Sequence, residues 1–170
     1  RYPLVTGVQT CALPISEQSF HGATKFQLNN CAQDGTMMHE LMAGEIARVA
    51  GVPASRCTHA YVTMGGKALG VYVLKEGFDG EFLRPFFKDT HGHLYDGGLH
   101  NDINPDLELD KGDPKDKARI TEFTNALREG DATKRRARLE QVMDLDAYLR
   151  HLAIENILVH GDGYSYRANN

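Results

Sequence analysis

The residues best suited to chemistry stand at the end of the chain, from His160 to Asn170. Gly161 is placed to end a helix, the carboxylate of Asp162 follows it, and the carboxamides of Asn169 and Asn170 come seven and eight residues after Asp162. Phosphotransferases use such a loop carboxylate to orient an attacking hydroxyl, with oxygen ligands nearby for a divalent metal ion. The pattern therefore predicts phosphoryl transfer, and its alternative is that Asp162 is an ordinary turn residue.

A long apolar helix must carry this loop. Asp144 is placed to cap it, and apolar side chains recur around most of its circumference from Leu145 to His160. A helix that is apolar nearly all round is typical of a protein core, so we expect it to be buried and to support the loop rigidly. His160 is expected to orient the loop by a hydrogen bond rather than to transfer a proton.

A second candidate group begins near residue 25. Lys25 starts a segment in which Phe26 and Leu28 alternate with polar residues, the pattern of a half-buried strand. By itself, Lys25 would be a surface lysine of this strand.

The next element is a helix from about residue 37 to residue 50. Asp34 or Thr36 can cap it, and Gly51 stands where it should end. Glu45 falls in the middle of its apolar stripe and needs a partner there, either a lysine or arginine or the water at the helix edge, whereas Glu40 falls on the far side and is expected to be solvated. The stripe consists of Met38, Leu41, Met42, Ile46 and Val49.

Strand and helix signals then follow in succession. Two alternating segments around Gly65 and Gly66 predict a β-hairpin, and Asp79 is placed to cap a short helix after a polar break. Residues 100–114 are rich in Asp, Asn, Gly and Pro and predict a linker between lobes, after which the pattern is helical to residue 160.

Length and charge limit the classes of protein. The 170 residues allow one core or two small lobes, and 19 basic against 23 acidic residues leave no basic stripe, so nucleic acid is not an expected partner. No apolar run reaches the roughly 18 residues of a membrane span. Residues 5–15 resemble a translated sequencing adapter more than a signal peptide, so residues 1–15 are left out of the fold prediction and the compartment is not read from them.

Three other features have two interpretations each. Cys31 and Cys57 are either a disulfide or two buried thiols, with the thiols favoured by their spacing. His91 and His93 are solvated loop residues or a zinc-binding pair. The basic run from Lys134 to Arg138 is a solvated helix face or a site for an acidic peptide.

The order of elements and several short motifs resemble one family. The motifs are Lys25–Asn29, Ala50–Ala54, Gly70–Glu76, Gly92–Tyr95, Asp162–Tyr164 and Asn169–Asn170. Together they resemble the CotH-like (spore-coat protein H) family of atypical protein kinases, over about residue 20 to the end. The resemblance implies an α+β, protein kinase-like fold of two lobes, with residues 16–98 as the N-terminal lobe and hinge and residues 99–170 as an incomplete helical C-terminal lobe.

The resemblance also implies roles for residues. Asp162 would be the catalytic carboxylate, Asn169 or Asn170 a ligand to Mg²⁺ or Mn²⁺, and ATP would give its γ-phosphoryl group to a Ser or Thr hydroxyl of a protein. The residues that would hold ATP are Lys25, its partner Glu45 or alternatively Glu40, and the main chain from Leu74 to Glu76 at the hinge.

Two departures from the kinase pattern lead to further expectations. The position five residues after Asp162, where kinases carry the metal-binding asparagine, is Arg167, and no second metal-binding carboxylate motif follows before Asn170. We therefore expect the chain as given to be inactive or nearly so, although its parent protein is expected to be a kinase. The alternatives are a non-catalytic pseudokinase or structural module of a secreted, cell-surface or spore-coat assembly, and a kinase for small molecules.

Overall fold

The computed structural model describes Ser19 and residues 22–97, 101–161 and 163–167. These residues form a mixture of helices and strands, as the α+β prediction required. The chain divides into two compact units, one made of the residues up to Val49 with Pro53–Thr90 and the other of Ala50–Val52 with His91–Asn170.

The first unit contains a three-stranded antiparallel sheet. Its strands are β1 (Phe26–Asn29), β2 (Cys57–Met64) and β3 (Lys67–Glu76), and β3 lies in the middle. Gly65 and Gly66 join β2 to β3 with φ angles of +57° and +75°, which side chains with a Cβ rarely adopt. The predicted hairpin is confirmed.

Helix α1 (His39–Val49) follows β1. The Asp34 carboxylate accepts a hydrogen bond from the His39 N–H at 2.9 Å, and the Thr36 hydroxyl accepts one from the Met38 N–H at 3.3 Å. The helix ends before Gly51, whose φ of +74° is typical of a helix C-terminus. Both predicted ends are confirmed within one or two residues.

The apolar stripe of α1 is largely exposed. Four of its five members are exposed, namely Met38, Met42, Ile46 and Val49, and the buried residue of the helix is Ala47. The helix packs through its small residues instead, because Gly44 approaches the Ser55 carbonyl so closely that a Cβ there would lie 3.2 Å from it. Glu40 stands on the same side as Gly44 and Ala47, one and two turns earlier.

A short helix, α2 (Gly80–Leu83), closes the first unit. Asp79 caps it by accepting hydrogen bonds from the N–H groups of Glu81 and Phe82 at 2.8 and 3.0 Å. The other oxygen of Asp79 accepts a hydrogen bond from the Thr24 hydroxyl at 2.7 Å. The predicted cap is confirmed, and it connects α2 to the chain just before β1.

We expect Asp79→Ala to lower the free energy of unfolding by about 1–2 kcal/mol, the upper part of the range for helix caps. Three hydrogen bonds are lost, and the helix they hold buries Phe82 and Leu83. Urea unfolding of the variant measures the change. The control is Asp131→Ala, which removes one capping bond from a helix without buried residues. A loss at Asp131 as large as that at Asp79 would contradict the prediction.

The second unit begins with a two-stranded antiparallel sheet of β4 (Leu94–Asp96) and β5 (Glu108–Lys111). Residues 100–114, for which the composition predicts a linker, therefore contain a strand, β5. With one apolar side chain, Leu109, β5 has almost no strand signal of its own, and pairing with β4 supplies its stability.

After β5, the described residues form four helices, as the helical pattern predicts. Asp144 caps the main helix of this unit by accepting a hydrogen bond from the Ala147 N–H at 2.9 Å. No helix among the described residues is long and apolar enough to cross a membrane. The helices are α3 (Ala118–Leu127), α4 (Ala132–Val142), α5 (Leu145–Ile157) and α6 (Tyr164–Arg167).

The predicted burial of α5 is wrong. Leu149 and Ile157 are 59% and 70% exposed, and the buried residue of the helix is an acid, Glu155, at 5%. Apolar side chains lie on all sides of α5, so some of them face the surface of the unit and others face its interior. Glu155, the buried charged residue of α5, lies near the end of the helix that leads to the loop.

Candidate functional site

Lys75, a lysine to whose side chain the sequence pattern assigned no role, lies on one face of the three-stranded sheet. Lys75 of β3 lies opposite Cys57 of β2, and Val73 lies between His59 of β2 and Asn29 of β1. Residues directly opposite each other in antiparallel strands point to the same face. Val73 is fully buried at 0% exposure, and the His59 ring Nε2 donates a hydrogen bond to the Met37 carbonyl at 2.9 Å. This is the face on which α1 lies.

Glu40 joins α1 to the edge strand β1 and to the central strand β3 on this face. Its Oε1 accepts a hydrogen bond from the Asn29 carboxamide, and its Oε2 lies 3.4 Å from Nζ of Lys75. Oε2 is buried and makes no hydrogen bond with the described residues, so the ion pair is its polar contact there. The prediction that Glu40 is solvated is wrong, since its side chain is 27% exposed.

The structure places Glu45 elsewhere. Its side chain is 67% exposed and forms an ion pair with Arg48, about one turn along the same helix. The need for a partner is met by a neighbouring arginine, which was one of the alternatives for this residue. Burial of Glu45 within an apolar stripe is not observed, because the stripe itself is exposed.

Lys25 directly precedes β1, at the end of the sheet where β3 ends. Its Nζ donates a hydrogen bond to the Phe78 carbonyl at 3.3 Å, and its stem packs against Gly77, where a Cβ would come within 2.5 Å of the Lys25 Cγ. Lys75 Nζ lies 6.0 Å from the centroid of the Phe78 ring, at the edge of cation–π distance. Both ammonium groups thus lie beside Phe78.

Sequence reasoning missed Lys75 and Phe78. The signal for Lys75 was present, because it shares its side of β3 with Val71 and Val73 by the alternation of the strand. The polar residues from Lys75 to Gly77 resemble a break after the strand, although β3 continues to Glu76.

The main chain from Leu74 to Glu76 is engaged within the sheet. Leu74 and Lys75 pair with β1 on one side and with β2 on the other, and the Glu76 N–H donates to the Arg56 carbonyl at 2.9 Å. The Glu76 carboxylate is buried and binds the Arg56 guanidinium at 2.6 and 3.0 Å. Adenine binding by this main chain stays a prediction.

Both cysteines near Glu40 are free thiols. Burial raises the pKa of the Cys57 thiol, and the Glu40 carboxylate raises it further; the same two causes raise the pKa of the Cys31 thiol. Thiols with raised pKa values are neutral at pH 7 and react slowly. The interpretation as two thiols agrees with the structure.

In the second unit, Glu155 supports the chain after residue 162. Its Oε1 accepts a hydrogen bond from the Tyr164 N–H at 2.8 Å, and its Oε2 accepts one from the Ser165 N–H at 3.1 Å. The His151 ring, one turn earlier on α5, lies 3.3 Å from Oε1. Nothing in the sequence pattern distinguished Glu155 from a solvated helix residue.

The environment of Glu155 favours its charged form. Burial raises the pKa of this carboxyl, but hydrogen bonds from Ser165 and from the Tyr164 N–H, with the nearby His151, outweigh burial and bring the pKa below its ordinary value of 4.5. Glu155 is therefore a buried carboxylate at neutral pH, with its charge balanced by N–H donors.

An apolar cavity of about 430 Å³ adjoins the same loop. Tyr164 lines it, and the Tyr164 hydroxyl donates a hydrogen bond to Asp102 at 2.8 Å. Burial, and then the hydrogen bond to Asp102, raise the pKa of Tyr164 far above its ordinary value, so the phenol stays neutral. Further lining residues are Tyr95, Ile103, Ile120, Phe123 and Tyr148.

Asp162, Asn169 and Asn170 lie outside the described residues, so their predicted roles stay predictions. On either side of Asp162, the His160 N–H donates to the Glu155 carbonyl and the Gly163 N–H donates to the His160 carbonyl, both at 2.9 Å. Among the residues that the structure describes, no group of three or more His, Cys, Asp or Glu side chains could hold a metal ion.

Protein kinases hold ATP with a strand lysine that is ion paired with a helix glutamate, the arrangement that Lys75 and Glu40 adopt here. The family model described as CotH kinase protein matches residues 12–170, and the chain therefore belongs to the CotH kinase family. The match confirms the resemblance and overlaps the last four residues of the predicted adapter segment. Among curated proteins, no relative matches the chain.

The chain is therefore kinase-like at the level of its family. At the level of the family, ATP, a divalent metal ion and a protein substrate are the general expectation.

Proposed function

We propose that this chain supplies the nucleotide-binding lobe and the catalytic loop of an atypical protein kinase. The reaction is transfer of the γ-phosphoryl group of ATP to a Ser or Thr hydroxyl of a protein, in a two-lobed, protein kinase-like fold. The observation that carries the proposal is the ion pair between Lys75 of β3 and Glu40 of α1.

Lys75 has the properties of a phosphate-binding lysine. Its side chain is 28% exposed, so it is partly removed from water yet open to a ligand, and Glu40 holds its ammonium group on the face of the sheet. Asn29 fixes the other oxygen of Glu40, which leaves the carboxylate oriented toward the lysine. A positive charge that the protein holds in place in this way stabilises the transition state of phosphoryl transfer, because it is already positioned to neutralise charge on the phosphates.

The proposal replaces the sequence-based pair of Lys25 and Glu45 by Lys75 and Glu40. Lys25 remains a candidate for a second positive charge, since its ammonium group and that of Lys75 both lie beside Phe78. Two cations suit the several negative charges of a triphosphate better than one.

The other functional groups in the proposal come from the end of the chain. Asp162 orients or deprotonates the acceptor hydroxyl, and Asn169 or Asn170 supplies an oxygen ligand to Mg²⁺ or Mn²⁺. A bound metal ion would neutralise the charge on the phosphates. Hard oxygen ligands such as carboxamides are the type that these ions prefer.

A second candidate function is a non-catalytic binding module of an extracellular, cell-surface or spore-coat assembly. The exposed apolar stripe of α1 favours it, because contiguous apolar surface commonly marks a protein–protein contact. The stripe consists of Met38, Met42, Ile46 and Val49.

Calorimetric titration of the 170-residue chain with Mg-ATP tests the proposal. We expect a dissociation constant between roughly 1 μM and 1 mM, the range of substrate constants in enzymes. Mg²⁺ without nucleotide is the control. The longest product of the same gene is then incubated with ATP labelled on the γ-phosphate and a mixture of unstructured proteins.

Label on serine or threonine, mapped by mass spectrometry, is the expected result. Label on a small molecule instead would move the protein to a different class of kinase. Failure of the 170-residue chain to bind Mg-ATP would contradict the proposal. If the longest product of the gene also failed to bind Mg-ATP, the non-catalytic module would be favoured.

A further inference from the structure

We propose that Glu155 is a positioning residue that holds the catalytic loop in place from the C-terminal side of Asp162. This inference rests on the proposed function, in which Asp162 orients the acceptor hydroxyl. Glu155 does not touch the reacting atoms and acts through the backbone of the residues that follow Asp162.

The geometry is that of a carboxylate bound to two successive main-chain N–H groups. Oε1 accepts from Tyr164 at 2.8 Å and Oε2 from Ser165 at 3.1 Å, so both oxygens are engaged on the same turn. Charged acceptors make stronger hydrogen bonds than neutral ones, and two parallel bonds restrain orientation as well as distance. The start of α6 is thereby held to α5.

Gly163 shows how closely the carboxylate fits the loop. A Cβ at this position would lie 2.6 Å from Oε1 and 2.8 Å from the carboxyl carbon of Glu155, distances that real Cβ atoms do not show. At Gly161, on the other side of Asp162, the corresponding position has no atom of the described residues within 4 Å, its chain neighbours apart. The two glycines that flank Asp162 therefore differ. A Cβ at Gly163 would also lie 3.0 Å from Nδ1 of His160, but its closest contacts are with Glu155.

The burial of this acid is unusual for its helix. Glu155 is 5% exposed, whereas the apolar residues Leu149 and Ile157 of α5 are exposed. A buried carboxylate is unfavourable unless hydrogen bonds and charge compensate it. The compensation comes from Tyr164 and Ser165 of the loop, with the partly exposed His151 as the nearby cation when protonated. Glu155 thus makes its main contacts with the segment that follows Asp162.

Residue 162 is bonded directly to Gly163, which lies against the Glu155 carboxylate. We therefore expect the restraint on Gly163 and Tyr164 to bear on the position of Asp162. A misplacement of about 1 Å in a catalytic group costs roughly 100-fold in rate. Loss of the Glu155 hydrogen bonds is therefore expected to lower kcat without changing the affinity for ATP.

Glu155→Gln tests the inference with two measurements. The amide group cannot accept from both N–H groups, so in the 170-residue chain we expect hydrogen exchange at Tyr164 and Ser165 to become faster by roughly tenfold or more, with the β1–β3 amides unchanged. In the longest product of the gene, we expect kcat to fall roughly 10- to 100-fold and KM for ATP to stay within about twofold. The matched control is Glu140→Gln, which alters an exposed glutamate of α4 paired with Arg136.

A second pair of variants leaves Glu155 in place, in case Glu155→Gln does not fold. Gly163→Ala forces a Cβ into the carboxylate and is expected to lower kcat to a similar extent, whereas the Cβ of Gly161→Ala comes within 4 Å of no atom of the described residues, its chain neighbours apart, and is expected to lower kcat less. Equal effects of the two alanines would overturn the inference.

Faster exchange at Tyr164 and Ser165 with unchanged kcat would also overturn the inference, because the contact would then be structural only. A wild-type protein that transfers no phosphate, yet protects both amides in a manner that depends on Glu155, would overturn the proposed function while leaving the geometry of the contact intact.

Discussion

Lys75→Met is expected to weaken the binding of Mg-ATP by roughly 10- to 100-fold, the value of one charged hydrogen bond to a phosphate. The change keeps the length of the stem that runs along β3 and removes the ammonium group that lies 3.4 Å from Oε2 of Glu40. Calorimetric titration of the 170-residue chain measures the affinity. The sheet is expected to remain folded, since Val73 and the pairing of β3 with β1 and β2 are unaffected.

Two other lysines make this prediction specific. Lys67→Met changes an exposed lysine at the start of the same strand and is expected to leave the affinity within about twofold. Lys25→Met tests the sequence-based assignment directly. A larger loss of affinity at Lys25 than at Lys75 would contradict the proposed pair and support the original assignment of the phosphate-binding lysine to Lys25.

Glu40→Gln separates the roles of the two charges. Glutamine keeps the hydrogen bond with Asn29 within reach but loses the charge that holds the Lys75 ammonium group. If Lys75 binds phosphate only when Glu40 holds it in place, the two single variants and the Lys75→Met, Glu40→Gln double variant are expected to have similar affinities for Mg-ATP. The reason is that the effects of substitutions within one network of contacts do not add. Additive losses would indicate that Glu40 and Lys75 act independently.

Asp162→Asn is expected to reduce kcat by roughly 10²- to 10⁴-fold, the contribution of a positioned general base. Asparagine has nearly the same shape but cannot accept a proton, so the fold and the affinity for ATP are expected to be retained. The measurement is phosphoryl transfer in the longest product of the gene, under single-turnover conditions that separate chemistry from product release.

Asp146→Asn is the matched control, because Asp146 is an exposed aspartate in the first turn of α5, the helix that leads to the loop. Its rate is expected to stay within about twofold of the wild type. If Asp162→Asn retained more than about a tenth of the activity, Asp162 would have no part in proton transfer, and an ordinary turn residue would be the better interpretation.

Local signals explain the parts of the fold that were predictable. Gly65 and Gly66 between alternating strands define a hairpin, and Asp34, Asp79 and Asp144 each cap the helix that follows them. Each of these features depends on residues only a few positions apart, so the chain itself specifies them. Several short motifs in the right order were likewise enough to identify the CotH kinase family.

The orientation of α1 was not predictable in the same way. Its large apolar residues indicated one face, yet the helix lies on the sheet with Glu40, Gly44 and Ala47, because small side chains let the helix backbone approach the chain at Ser55. Periodicity identifies an apolar stripe but does not reveal that a second, smaller face packs better. This choice is what brings Glu40 rather than Glu45 to a lysine.

The sequence by itself determined the family, the ends of α1, the starts of α2 and α5, and the hairpin. The predicted end of α5 at Gly161 is wrong, because the helix ends at Ile157, and the role of Asp162 stays a prediction. Tertiary structure alone decided that Lys75 meets Glu40, that β5 forms within an apparent linker, and that Glu155 turns inward to bind the backbone after Asp162. The physical reason is the same in each case. These contacts join segments whose pairing depends on packing and on the desolvation of charge, and neither quantity is encoded in the spacing of neighbouring residues.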